Sequence, residues 1–177
     1  MKTKRVTVVP YDGAWKSDFE AIKAEIEAAV GELILGVEHV GSTSVEGLCA
    51  KPCIDLDVVI SNRAMLPGVV RGLAAIGYFH EGDLGIRDRE AFRYEGKEHL
   101  RMHHLYVCPR DSRELRRHIA FREYLRSHPE AAAQYGRVKT EAAQRFPNDI
   151  DGYIRCKAPC IAQLYAAMGE IGEQDEA

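Results

Sequence analysis

The stretch Cys53-Ile54-Asp55-Leu56-Asp57-Val58-Val59-Ile60 limits what this chain can fold into more than any other segment. It is too apolar and too rich in β-branched residues for a surface segment, so it reads as a central strand of a sheet. Side chains alternate along a strand, which puts Asp55 and Asp57 on one face and Ile54, Leu56 and Val58 on the other. Two carboxylates side by side in such a strand repel each other and lose solvation. One of them is neutralised unless a cation or several donors compensate. A divalent metal held by oxygen ligands compensates directly, so Asp55 and Asp57 are the candidate metal and catalytic pair. The competing reading is an acidic strand face that is simply solvated.

The remaining segments supply a sheet around this strand. After a short possible strand at 6–9, Trp15, Phe19, Ile22, Ile26 and Ala29 recur at helical spacing and end near Gly31. Residues 33–40 read as a strand broken by Gly41. Leu66, Val69, Val70, Leu73 and Ile76 form a second helical stripe that stops at Gly77, before a short strand at 78–80. The Gly-rich, charged stretch 82–96 predicts a loop and an edge strand around 92–94. Residues 100–108 follow as a strand stopped by Pro109. From Ser112 onwards three helices are expected, at 112–127, 129–145 and 149–168, punctuated by Pro129 and Pro147. Strands interleaved with helices early and helices segregated late predict an α+β fold: a mixed sheet with flanking helices and a C-terminal helical part, 112–169, packed on it. A length of 177 residues fits one domain over 1–177.

Charge narrows the partners. With 24 Lys+Arg against 27 Asp+Glu the formal charge is -3, without the basic excess that generic nucleic-acid binders use to displace counterions. No run approaches 18 apolar residues, and Pro10 and Gly13 interrupt the N-terminus before a signal-peptide core develops. A cytoplasmic chain without a membrane partner is expected. The five cysteines include two C-x3-C pairs, Cys49/Cys53 and Cys156/Cys160. An odd number in a chain long enough to need no staples suits a reducing compartment, and we read them as small buried hydrophobes rather than zinc ligands.

The turn Gly41-Ser42-Thr43-Ser44 precedes the acidic strand. A glycine and hydroxyls at such a turn present N-H groups and Oγ atoms to a phosphate, although no Walker A sequence is present. Lys51, on the approach to the acidic strand, and Arg89, in the Gly-rich loop, are placed to neutralise phosphate charge. Read as whole strings, Val37-Glu38-His39-Val40-Gly41-Ser42-Thr43-Ser44-Val45 with Gly47-Leu48, Ala50-Lys51-Pro52 and Ile54-Asp55-Leu56-Asp57-Val58 are similar to the signature of the GrpB family, a branch of the nucleotidyltransferase superfamily. Arg89, His104-Leu105-Tyr106-Val107, Phe121-Arg122-Glu123-Tyr124, Tyr135 with Lys139 and Tyr153 with Lys157 extend the match from about Tyr11 to Ala167.

This resemblance implies a nucleotidyltransferase-like fold whose Gly-Ser turn holds phosphate oxygens and whose aspartates hold Mg2+ or Mn2+. It implies a nucleotide ligand and, in an active protein, transfer of a nucleotidyl group to an acceptor. It also exposes a departure, because superfamily members add a third carboxylate from a later strand, and that strand here carries His104 and Tyr106. His104 is therefore the candidate for the third position, as ligand, general base or phosphate partner. Tyr106, Arg122 and Lys157 are further cleft candidates. The competing reading is a non-catalytic module for a nucleotide or CoA-related molecule, since GrpB-like domains also occur fused to dephospho-CoA kinase.

Overall fold

The computed structural model describes residues 5–169; the expected single domain over 1–177 therefore extends past both ends of what is described. Helical spacing produces α1 (Ala14–Val30), with Trp15, Phe19, Ile22, Ile26 and Val30 buried. The chain continues through β1 (Gly36–Val40), β2 (Ile54–Ile60), α2 (Leu66–Ala75), β3 (Tyr78–Gly82), β4 (Glu90–Tyr94) and β5 (His103–Pro109). Three helices follow: α3 (Arg113–Ser127), α4 (Pro129–Arg145) and α5 (Ile150–Ala167). Each begins on a residue suited to it. Ser112 accepts a hydrogen bond from the Leu115 N-H, Pro129 occupies the first turn of α4, and Asp149 accepts from the Gly152 N-H.

The five strands form one mixed sheet in the order β1-β2-β5-β4-β3. Only β2 and β5 are parallel; the other neighbours are antiparallel. β2 is interior, as expected, with β5 in the middle place, and three other expectations are corrected. β4 is likewise interior, because the antiparallel pairing of β3 with β4 puts β3 on the edge. Alternation of side chains reports which face is covered and says nothing about which strand lies outermost. The 6–9 segment is only a bridge between Val9 and Ala50, and the strand expected from residue 33 starts at Gly36, after a 3-10 turn over Gly31–Leu33.

The main core lies on the face of β2 and β5 opposite the aspartates, where Ile54, Leu56, Val58, Leu105 and Val107 meet Trp15, Phe19, Ile22 and Ile26 of α1 and Val69 and Leu73 of α2. Ile22 and Ile26 have no exposed surface, and each such burial contributes about 1.5 to 3 kcal/mol. A second cluster joins Val45 and Leu48, in the loop after β1, to Leu125, Tyr135, Cys160 and Leu164 of the C-terminal helices. It fixes that loop against the helices, over the end of the sheet where Asp55 emerges.

Candidate functional site

β1 and β2 pair with Val40 opposite Asp55, so the chain leaving β1 passes over the Asp55 carboxylate. Gly41 makes that passage at φ 72° and ψ -174°, a combination open essentially to glycine alone. A Cβ at this position would collide with Asp55 Oδ2. The 3-10 turn Ser42–Ser44 follows, closed by the Ser44 hydroxyl, which donates to the Gly41 carbonyl at 2.5 Å. Arg126 of α3 braces it from outside, donating Nε and Nη2 to the Ser44 carbonyl at 3.1 and 2.7 Å. Thr43 Oγ1 lies 2.9 Å from His39 Nε2. The His39 ring stacks on Phe19, and burial holds its pKa down to about 4, so it is a neutral imidazole. Ser42 is hydrogen-bonded to Tyr135.

On the other side of β2, the parallel register sets His104 directly opposite Asp55 and Tyr106 opposite Asp57. His104 Nδ1 lies 2.9 Å from Asp55 Oδ1. The hydrogen bonds to Asp55 and to Cys53 outweigh burial and raise the His104 pKa to about 10. Cys53, expected as a core residue, is buried, yet its Sγ also reaches to 3.8 Å from His104 Nδ1.

The two aspartates share a face but not an environment. Asp55 is partly open, whereas Asp57 is 0% exposed, covered by α3. Its Oδ2 accepts from His118 Nδ1 at 2.7 Å, and its Oδ1 is buried with no hydrogen-bond partner. Burial raises the Asp57 carboxyl pKa, and the His118 hydrogen bond offsets part of that. His118 escaped sequence reasoning because it lies 61 residues from Asp57 on a helix of little apolar contrast. The orphan Asp57 oxygen and the partly open Asp55 carboxylate are oxygen donors of the type hard divalent cations accept.

A cavity of about 370 Å3 collects Ser42, Thr43, Lys51, Asp55, His104, Lys139 and Lys157 along its walls. Lys139 is 2% exposed; its ammonium donates to the Cys49 carbonyl and lies 4.7 Å from the Tyr135 ring centre. Burial lowers its pKa to about 7. Lys157 sits 4.3 Å over the Tyr153 ring, and burial lowers its pKa to about 8. Burial beside this cavity disfavours the charged form of both ammonium groups, and a nearby negative charge would favour it.

Other sequence candidates lie outside this wall. Ser44 commits its hydroxyl to the turn and faces a larger groove of about 930 Å3 along α4, whose lining includes none of Asp55, Asp57 and His104. Arg122, expected in the cleft, instead braces α3 to β1, donating to Glu38 Oε2 at 2.7 Å and to the His39 carbonyl at 2.9 Å. Arg89 lies 4.4 Å over the Tyr106 ring, and Tyr106 lines a smaller neighbouring cavity of about 240 Å3 that shares Lys51 and His104. The five cysteines are free thiols, and no helix among the described residues is long and apolar enough to cross a membrane.

The sheet with a Gly-Ser turn over an Asp-x-Asp strand defines a nucleotidyltransferase-like fold. The Cid1 poly(U) polymerase with MgGTP bound shares it at a TM-score of 0.54 and 13% identity, over 78% of this chain and 45% of that one. The chain belongs to the GrpB family, whose model, described as GrpB protein, matches residues 5–167. The crystal structure of the conserved protein GrpB from Enterococcus faecalis is similar at a TM-score of 0.75 and 32% identity, covering 90% of this chain and 99% of that one. A UPF0157 protein of Pseudomonas aeruginosa is 34% identical over 90% of this chain and 66% of its own length. The UPF0157 protein YqkA of Bacillus subtilis is 30% identical over 87% of this chain and 44% of its own length. This chain therefore spans less than two thirds of both curated relatives. A dephospho-CoA kinase of Mycolicibacterium paratuberculosis is 28% identical over 90% of this chain and 45% of its length.

Proposed function

We propose that the chain binds a nucleoside triphosphate or related nucleotide in the cavity beside Asp55, together with Mg2+ or Mn2+ on Asp55 and Asp57, and transfers the nucleotidyl group of a triphosphate to an acceptor hydroxyl, the new oxygen–α-phosphorus bond replacing the bond to pyrophosphate, which leaves. The observation that carries this reading is the meeting of Ser42 and Thr43 of the turn with Asp55, Lys51, Lys139 and Lys157 around one cavity of about 370 Å3. The turn offers backbone N-H groups and the Ser42 hydroxyl to phosphate oxygens. The three lysines balance their charge as point cations. When bound, the divalent ion would neutralise developing charge on the transferred phosphoryl group. Gly41 keeps the turn within reach of Asp55, and His118 holds the Asp57 carboxylate in one orientation by its hydrogen bond.

A second reading, a non-catalytic module for a nucleotide or CoA-related molecule, is favoured by β5, where His104 and Tyr106 stand in place of a third acid. The dephospho-CoA kinase relative points the same way. Thermal-shift measurements with nucleoside triphosphates, CoA and dephospho-CoA, each with and without Mg2+ or Mn2+, separate the two, because a ligand preferring the folded state raises its stability. A triphosphate shift that needs the metal is the expected result. A CoA-type shift indifferent to metal would favour the second reading, and no shift with any of these ligands would remove both.

A further inference from the structure

Cys53 has no part in the nucleotide reading, yet it does not sit as a core thiol normally does. It immediately precedes β2, two residues before Asp55, and His104 is opposite Asp55 on the parallel neighbour. Three different donor types are thereby brought together: the Cys53 thiol, one Asp55 carboxylate oxygen and a His104 ring nitrogen all lie within 4.8 Å of one another. His104 Nδ1 is 3.8 Å from Cys53 Sγ and 2.9 Å from Asp55 Oδ1. A tetrahedral ion with bonds of about 2.0 to 2.3 Å spaces its donors roughly 3.3 to 3.8 Å apart. The sulfur-nitrogen spacing already agrees, and the nitrogen-oxygen spacing needs only a small opening of a half-exposed imidazole and a partly open carboxylate.

We propose that Cys53, Asp55 and His104 form a zinc-type site, with a thiolate, an imidazole and a carboxylate as its three protein ligands. Sulfur and nitrogen donors select zinc or cobalt over Mg2+, which takes oxygen ligands in an octahedral array. Three protein ligands leave the fourth position of a tetrahedral ion open, the arrangement of reactive rather than purely structural zinc sites. The Asp55 and His104 side chains line the cavity that also holds Lys51, Lys139 and Lys157, so the open position admits water or a phosphate oxygen. The site shares Asp55 with the metal pair proposed above but stands on Cys53, so either assignment can fail alone.

Cobalt makes the thiolate visible. The reduced, chelator-treated protein is titrated with Co2+, followed by absorbance, and Zn2+ affinity is measured by competition with a chromogenic chelator. We expect one equivalent bound, a sulfur-to-cobalt charge-transfer band and ligand-field bands of tetrahedral intensity. Cys53→Ala should abolish the charge-transfer band, and Cys53→Ala and His104→Ala should each weaken Zn2+ binding by more than about tenfold, the lower end of the effect of changing even outer-shell partners. Cys156→Ala, away from the site, should keep both. A charge-transfer band that survives Cys53→Ala, absence of the band in the wild-type protein, or Zn2+ affinity unchanged in His104→Ala overturns the proposal. Because Cys53 is buried and its replacement could disturb folding, the His104→Ala result stands as an independent arm. The metal-dependent nucleotide shift, measured separately in zinc-free protein with Mg2+, reports on the nucleotide reading alone.

Discussion

Gly41 is the residue on which the relation between turn and strand depends. Its backbone conformation suits no L side chain, and a Cβ there lands on the Asp55 carboxylate. Gly41→Ala should cost about 1 to 3 kcal/mol from backbone strain alone, read from urea denaturation, and should remove the triphosphate-induced thermal shift. A stability equal to wild type would show that the turn does not need this conformation. Asp55 makes an equally sharp prediction through His104, whose pKa is raised to about 10 by its hydrogen bonds to Asp55 and Cys53. In Asp55→Asn the largest raising influence disappears, so the His104 resonances should titrate well below that value in an NMR pH series. The sign for stability follows. A raised histidine stabilises fully below its unfolded pKa of about 6.5 and loses that contribution as pH rises towards the folded value. Wild type should therefore lose more stability than Asp55→Asn between about pH 6.5 and 10, and parallel pH profiles would contradict the assignment.

Between elements, the tie that matters most is α3 to β2. His118 donates to Asp57 Oδ2 under a helix that leaves the carboxylate no exposure. His118→Ala leaves both Asp57 oxygens buried without a hydrogen-bond donor, and an unsatisfied buried group costs about 1 to 3 kcal/mol. Asp57 can escape part of this by keeping a proton. Its folded pKa, already raised by burial, rises further when His118 is gone, so the penalty should be small in acid and grow as pH climbs above the unfolded aspartate value. Chemical denaturation at pH 5 and pH 8 measures this, and an equal loss at both would mean that His118 acts by packing alone. The tie also marks where sequence reading stops. α1 and α2 are legible because one buried stripe dictates a period near 3.6, and the shared face of Asp55 and Asp57 follows from strand alternation. The placement of His104 beside Asp55 came from the family resemblance, since periodicity says nothing about which strands pair. His118 on Asp57 and Lys139 on the Cys49 carbonyl join residues 61 and 90 positions apart. Only the packing of α3 and α4 creates those contacts, and no local pattern announces them.

At the scale of the whole molecule, two lysines with lowered pKa values should contribute to ligand affinity and to stability with opposite pH dependence. The C-terminal helices close over the end of the sheet, burying Lys139 and partly burying Lys157, whose pKa values fall to about 7 and about 8. Both face a cavity that also holds Lys51, Asp55, Asp151 and His104. A polyphosphate binds their protonated forms and draws protons onto them, so affinity for tripolyphosphate should fall as pH rises from about 6.5 to 9, through the two lysine values. Folding runs the other way. In the unfolded chain both lysines return to about 10.4 and hold more protons than in the fold, so their contribution to stability increases with pH over the same window. His104 opposes this, losing its stabilising contribution between about pH 6.5 and 10, so the lysine contribution is isolated by comparing variants. Lys139→Met should be more stable than wild type near pH 6, where the buried charge is most costly, and the difference should shrink by pH 9. The same substitution, and Lys157→Met, should flatten the fall in tripolyphosphate affinity measured by calorimetry. An affinity independent of pH, or one that rises with it while the protein stays folded, would mean that these two lysines do not meet the phosphate.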